Sequence, residues 1–245
     1  MRKILFVIAC LSVWSCSEST NEDPFLIDSG EEYIPLAVGQ NWVFDLDSII
    51  YDPEPGEIVI DTLSYQMKYE VVDTFRNGQD QLSYRIERFV RNTDTSSWRV
   101  TDVWTAHIEE RRFVWNEENQ PFVKLIFPLK EDSKWDGNAL FDDDNVSIKI
   151  RGENIDIYKF WADYEVISRG AEEVNGTQYD DVITVLQVDR EITIEKRYSV
   201  EKYARGVGLI FKELVILDTQ NENVVIPFED RAERGFIMRQ KLRSF

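Results

Sequence analysis

Apolar and polar residues alternate along most of the chain from about residue 31 onward. Trp42, Phe44 and Leu46 share one side of a run whose other side holds Asp45 and Asp47. A period of two is typical of a β-strand with one buried face, because successive side chains point to opposite faces of a sheet. The same alternation indicates strands at residues 65–71, 82–87, 97–105, 111–116, 122–127, 146–150, 158–168, 180–188, 190–198, 207–217 and 233–241.

Short polar segments separate these runs, at residues 76–79, 116–119, 175–176 and 219–223. Such short connections favour antiparallel pairing, because parallel strands need long crossovers. Residues 190–204 have a composition that a helix would tolerate, but Thr193, Ile194 and Val200 are β-branched and favour a strand. We therefore predict an all-β fold, with at most a minor helix, in which residues 31–245 form one curved antiparallel sheet or half-open barrel.

The first sixteen residues have the pattern of an export signal. Arg2 and Lys3 precede an apolar run, residues 4–14, that is too short to span a membrane. Residues 13–16 read Val-Trp-Ser-Cys, which resembles the site at which lipoprotein precursors are cut and acylated, although Trp14 replaces the usual small residue. Cys10 is a competing site with a shorter apolar run before it, and a plain cut after Ser17 is the other alternative. We predict a signal peptide at 1–15 and lipid attachment at Cys16.

Cysteine usage agrees with this prediction. The chain has two cysteines, and a cut before Cys16 removes the other one, so the remaining thiol is the one that carries the lipid. Residues 16–30 are polar and acidic, with Pro24 and Gly30, and predict a flexible tether. The membrane partner is thus expected through acyl chains on Cys16, in the cell envelope and at the outer membrane, with its periplasmic face and the cell surface both open.

The net charge of −18 argues against nucleic-acid binding, because such a surface repels phosphate backbones.

Motifs of catalysis are not found in the sequence. Its single histidine, His107, lies on a predicted strand, where a structural role is favoured, and neither a Gly-x-Ser-x-Gly elbow nor a phosphate-binding loop occurs. We therefore expect a protein without catalytic activity and without a cofactor. The acidic run Asp142, Asp143 and Asp144 offers oxygen ligands of the kind Ca²⁺ prefers, but it lacks the spacing of a calcium loop and favours a solvated turn.

Tryptophans raise a second possibility, since indole rings stack on sugars. Trp98 and Trp104 have the same strand parity, and Phe113 and Trp115 share theirs on the next predicted strand. A packed core explains both pairs equally well, because aromatic residues dominate β-sheet cores. A surface glycan-binding protein is accordingly the alternative function, and a carboxylate-dependent hydrolase with two close acids is a less favoured one.

Three segments carry a resemblance to known proteins. IPLAVGQNWVF near the start, FPLKEDSKWDGN midway and KYARGVGLIFKE late together resemble lipoproteins of the Bacteroidota, and they look like the LolA/LppX-like group of periplasmic lipoprotein carriers. That resemblance implies a curved antiparallel sheet around an apolar cavity. The first two segments also share one spacing from proline to tryptophan, and Gly206 and Gly208 in the third are expected to have positive φ. The leading hypothesis is a lipid-anchored, non-catalytic envelope protein that binds an apolar ligand or a protein partner.

Overall fold

The computed structural model describes residues 29–54, 57–150, 153–161 and 163–245. These residues form fourteen strands, two short 3-10 helices at Glu31–Tyr33 and Asp143–Asn145, and one four-residue helix, α1, at Phe228–Arg231. The strands are β1 Asn41–Glu54, β2 Glu57–Arg76, β3 Leu82–Arg91, β4 Arg99–Glu109, β5 Arg112–Glu117, β6 Gln120–Ile126, β7 Lys134–Trp135, β8 Ser147–Ile150, β9 Glu153–Asp156, β10 Tyr164–Val174, β11 Thr177–Ile192, β12 Glu195–Ala204, β13 Gly208–Asp218 and β14 Arg234–Ser244. The prediction of an all-β fold with a minor helix is confirmed.

Twelve strands make one antiparallel sheet in the order β6-β5-β4-β3-β2-β1-β14-β13-β12-β11-β10-β7. Each half of the chain forms its own meander, and the first and last strands of the sequence join the halves at the centre, with Leu46 opposite Gln240. The sheet curls until its two ends meet. Its ends are linked where the backbone amide of Val123 on β6 donates to the carbonyl of Gly137 just after β7, at 2.9 Å.

The interior of this nearly closed barrel is the main hydrophobic core. Chain segments fill its lower end, which is the end where β13 finishes; the upper end is the one where β13 begins. The β8–β9 hairpin packs Ile150 and Ile155 against Ile216 of β13 on the inside. On the outside, α1 places Phe228 against Leu217 of the same strand. The interior is therefore closed at the end where β13 finishes.

The two Pro-to-Trp segments have matching roles in the structure. Trp42 and Trp135 are both buried, and each indole N–H donates to a backbone carbonyl, that of Val207 at 2.5 Å and that of Val123 at 2.7 Å respectively. The first bond ties β1 to the turn before β13, and the second strengthens the junction between the sheet's two ends. Each indole thus links two separate segments of the chain through a backbone carbonyl.

Gly206 and Gly208 have φ of 73° and 100°, so the prediction of positive φ at this connection is confirmed. Gly208 has a second constraint. A Cβ at this position would lie 3.2 Å from Nε1 of Trp42, which is tighter than ordinary packing.

The segment that enters the barrel is fixed by a group of residues that we call the entry clamp: Glu32, Tyr33, Arg169, Asp181 and Arg205. The Tyr33 hydroxyl donates to Asp181 Oδ1 at 2.5 Å, and the guanidinium groups of Arg169 and Arg205 donate to the same carboxylate at 2.7–2.9 Å. Arg205 also pairs with Glu32. The residues just after the predicted tether are therefore attached to β10, β11 and the turn after β12.

Two strand predictions are wrong in part. The strand predicted at 158–168 begins only at Tyr164, because the rings of Tyr158 and Trp161 pack against each other in an aromatic cluster before it. Residues 190–198 are not one strand either. The chain reverses at Thr193 and Ile194 between β11 and β12, although both are β-branched. Strand residues on each side confirm that the helix alternative for 190–204 does not hold.

Within the described residues, no helix has both the length and the apolar character needed to cross a membrane.

Candidate functional site

A cavity lies inside the upper half of the barrel. Its volume is about 60 Å³, and it is partly open to solvent. Its apolar wall consists of Ile34, Leu36, Trp42, Phe44, Tyr69, Phe113, Trp115, Tyr203, Gly208 and Leu209. Leu36, Trp115 and Leu209 are only partly buried, so they form the rim, whereas most of the other wall residues are buried.

Four charged side chains form the polar side of this cavity, and we call them the interior ion cluster: Glu117, Lys124, Glu201 and Lys212. Lys124 Nζ lies 2.8 Å from Glu201 Oε1, and the Tyr203 hydroxyl donates to Glu201 Oε2 at 2.6 Å. Lys212 Nζ lies 3.4 Å from Glu201 Oε1 and 3.6 Å from Glu117 Oε1. The side chains of Glu201 and Lys124 are 2% and 7% exposed, so this cluster is desolvated.

Strand register explains how these charges meet. Glu201 on β12 pairs directly with Lys212 on β13, and residues that face each other across two strands project to the same side of the sheet. Lys124 comes from β6, the strand at one end of the sheet, and reaches Glu201 across the interior. The Lys124–Glu201 pair therefore ties the end strand β6 to β12 across the inside of the curled sheet.

Burial and charge act in opposite directions on the pKa values here. Burial alone would raise the pKa of Glu201, but Lys124 and Lys212 outweigh it and lower that pKa from 4.5 to about 2. Burial alone would lower the pKa of Lys212, but Glu117 and Glu201 outweigh it and raise that pKa. Burial, followed by the charge of Glu201, raises the pKa of Tyr203 well above 10. At neutral pH, Glu201 and Lys212 are charged and Tyr203 keeps its proton.

Two donors beside the cavity wall have no hydrogen-bond partner among the described residues. Gln240 pairs with Lys212 on the adjacent strand; its Oε1 accepts from the Tyr69 hydroxyl at 3.3 Å, but its Nε2 is buried without an acceptor. The indole N–H of Trp104, whose ring lies 5.2 Å from that of Tyr69, is also buried without an acceptor. Each buried N–H without a partner costs roughly 1–3 kcal/mol, so these positions favour an added acceptor.

The tryptophans singled out from the sequence do not form an exposed row. Trp104 is buried at 6% exposure, and Trp115 lies in the cavity wall. Trp98 is half-buried just before β4, with the Arg91 guanidinium 4.4 Å from its ring. Trp104, Phe113 and Trp115 thus belong to the aromatic interior, as their strand parity allowed, but Trp98 does not.

His107 and the aspartate run lie away from this cavity. His107 is on β4, 3.6 Å from Glu109. Asp142 accepts from the Asn145 amide at 2.6 Å, and Asp143 is 3.4 Å from the Asn138 amide. Among the residues that the structure describes, no three His, Cys, Asp or Glu side chains come together as a metal site would require. Asp142, Asp143 and Asp144 therefore gain no support as a cation site.

A pair of carboxylates does face the cavity, since Glu117 and Glu201 both contact Lys212. A glycoside hydrolase needs one carboxyl group whose pKa is raised so that it can donate a proton. The pKa of Glu201 is lowered instead. Glu201 therefore does not have the raised pKa of such a proton donor.

Sequence reasoning missed the interior ion cluster because alternation assigns charged residues to the outside by default. One signal was present: Lys124 interrupts the apolar run Phe122–Ile126, whose middle residues are all buried. The predicted lipid site Cys16, with the signal peptide at 1–15 and nearly all of the tether at 16–30, lies outside the described residues.

Comparison with known proteins finds few similarities to this chain. No protein-family profile matches it, and no curated protein matches it. Among solved structures, it is similar to a candidate lipoprotein from Parabacteroides distasonis, with 14% sequence identity over 86% of this chain and 98% of that chain, at a TM-score of 0.39. A TM-score this low supports no conclusion about the function of this chain.

Proposed function

We propose that this chain is a lipid-anchored protein of the cell envelope whose barrel binds one end of an amphipathic molecule. The anchor is supported by the export pattern of residues 1–16 and by Cys16. The binding function rests on one observation: the cavity has an apolar aromatic wall and a desolvated charged side, with solvent access at its rim. Binding sites commonly combine an apolar lining with a few fixed polar groups in this way.

Cavity volume limits what can enter. Sites that enclose a whole ligand are roughly 300–1,000 Å³, and this one is about 60 Å³. The cavity therefore takes a head group and the first few atoms of a chain, while the rest of the ligand extends past Leu36 and Leu209 at the rim. This proposal narrows the hypothesis of an apolar ligand to an amphipathic one.

Mass spectrometry of the intact protein tests this function. The full chain, purified from a bacterial envelope in a mild detergent, is expected to carry a co-purifying amphiphile that organic solvent releases. Leu209→Trp, which fills the rim, should lose at least nine-tenths of that ligand. Val225→Trp, at an exposed loop position, is the matched control and should retain it. A wild-type protein that carries no ligand and takes up none of a panel of lipids would refute the proposal.

Lipid attachment has its own test. In cells fed labelled palmitate, the wild-type chain and a Cys10→Ser variant should incorporate label, while Cys16→Ser should not. Label that survives in Cys16→Ser and disappears in Cys10→Ser would move the site to the competing cysteine.

A further inference from the structure

We infer that the head group bound in the cavity is a single carboxylate, received by Lys212 and Gln240. The inference rests on the proposed function above and adds the chemical class of the ligand, an alkyl monocarboxylate such as a fatty acid. It is carried by the two donor groups on neighbouring strands that the fold brings side by side and leaves poorly satisfied.

Lys212 is the first of these donors. An ammonium group has three N–H donors, and N–H···O bonds in proteins are usually 2.7–3.2 Å. The carboxylate oxygens around Lys212 Nζ lie at 3.4 and 3.6 Å, beyond that range. Glu201 is already bonded more closely by Lys124 and Tyr203. Lys212 is thus held in place by charge while its donors remain available to a closer acceptor.

Gln240 is the second donor. It lies directly opposite Lys212 in the β13–β14 ladder, so both side chains project to the same side of the sheet. The residue is fully buried, and its Nε2 has no acceptor among the described residues. Gln240 does not line the cavity itself but adjoins it through Tyr69, and it lies on the same face of the sheet as Lys212. A carboxylate has two oxygens, so one can accept from Lys212 while the other is directed towards Gln240.

Charge balance favours one negative charge over two. The interior ion cluster contains two lysines and two glutamates, so it is neutral before a ligand arrives. A monoanion adds one charge to this desolvated site, whereas a phosphate monoester adds nearly two, and each uncompensated buried charge is costly. The surrounding Phe44, Tyr69 and Leu209 then accept the first methylenes of the chain.

Octanoate, which stays monomeric at millimolar concentration, is the probe, and octanol is its uncharged counterpart of equal chain length. Binding to the full chain in non-ionic detergent is followed by the ¹³C resonance of [1-¹³C]octanoate. We expect octanoate to bind at least tenfold more tightly than octanol. The pKa of the bound carboxyl group should lie below that of free octanoate, because Lys212 stabilises the charged form.

Three variants separate the roles. Lys212→Met should weaken octanoate binding at least tenfold and octanol binding far less, whereas Lys134→Met, an exposed lysine on β7, should change neither. Gln240→Leu should weaken octanoate binding several-fold and provides the test if Lys212→Met does not fold.

Equal binding of octanoate and octanol by the wild type would overturn the carboxylate inference and leave the proposed function standing. Binding of neither, together with a purified protein that carries no ligand, would overturn both.

Discussion

At the scale of single residues, the packing of the cavity wall depends on a glycine, Gly208. Gly208 has a positive φ and lies against the Trp42 indole, which in turn donates to the Val207 carbonyl. A side chain at position 208 would therefore destabilise the fold in two ways, by straining the backbone and by displacing the Trp42 indole. Gly206, two residues earlier, has a similar φ but open space where a Cβ would be.

These two glycines give a matched prediction. Gly206→Ala should cost about 1–2 kcal/mol of the free energy of unfolding, the usual penalty for a left-handed alanine. Gly208→Ala should cost roughly 1 kcal/mol more, because it also disturbs the Trp42–Val207 hydrogen bond. Urea denaturation of both variants measures the difference. Equal losses would show that the close approach to Trp42 has no energetic consequence.

Lys124 illustrates which features the residue pattern predicts and which it does not. Alternation located the strands because a wrong face would expose a row of apolar side chains. It could not identify Lys124, Glu201 and Lys212 as interior residues, because their burial depends on partners that are 77 positions apart for one pair and meet only after the sheet has curled. The reversal at Thr193 and Ile194 was missed for a related reason. The Thr193 carbonyl accepts from Arg231 and the Ile194 carbonyl accepts from the Thr219 amide at 3.0 Å, and a local residue pattern does not reveal these contacts.

At the scale of elements, the entry clamp connects the first 3-10 helix to strands β10 and β11. Asp181 is its centre, and the hydrogen bond from Arg169 is the largest cause that lowers the Asp181 pKa. Burial, followed by the hydrogen bond to Asp181, raises the pKa of Tyr33 to about 12. Glu32 also accepts the amide of Gly206 with its backbone carbonyl at 2.8 Å, so this group attaches the entry segment to the turn after β12.

Removal of one hydroxyl tests the clamp. Tyr33→Phe keeps the ring and loses the bond to Asp181, so it should cost about 1–2 kcal/mol, at the low end for a charged acceptor because two arginines remain. Hydrogen exchange at the Gly206 amide should accelerate more than tenfold, with exchange in the β1–β14 ladder unchanged. Tyr84→Phe on β3, whose hydroxyl makes no hydrogen bond to the described residues, should alter neither. Unchanged exchange at Gly206 would show that the clamp does not hold the entry segment.

At the scale of the whole molecule, no continuous ladder closes the sheet among the described residues. The Val123–Gly137 bond joins its two ends, and the Lys124–Glu201 pair joins the end strand β6 to β12 across the interior. The free energy of unfolding of the protein should therefore depend on the charge of Glu201. Because the folded pKa of Glu201 lies below its unfolded value, the stabilisation is present above about pH 4.5 and is lost as the pH falls towards 2.

The pH dependence is a prediction for the whole fold. The wild type should lose roughly 3 kcal/mol between pH 4.5 and pH 2 from this group alone, and Glu201→Gln should show a shallower acid slope. That variant should also be about 3–5 kcal/mol less stable at pH 7, because Lys124 is left buried without its partner. Glu110→Gln, at an exposed turn, is the control and should leave the profile unchanged. Identical acid slopes for wild type and Glu201→Gln would contradict the role given to the pair.

The pairing of β1 with β14 has a consequence for how the molecule is made. In a chain that is synthesised from its N-terminus, β1 is made before β14. One edge of β1 therefore stays unpaired until the eleven residues of β14 have been made. During that interval β1 and β13 both present unpaired backbone, the kind of edge that recruits other chains. A nonsense mutation or a proteolytic cut that removes only Arg234–Ser244 should therefore yield insoluble, self-associating material rather than a slightly shortened barrel.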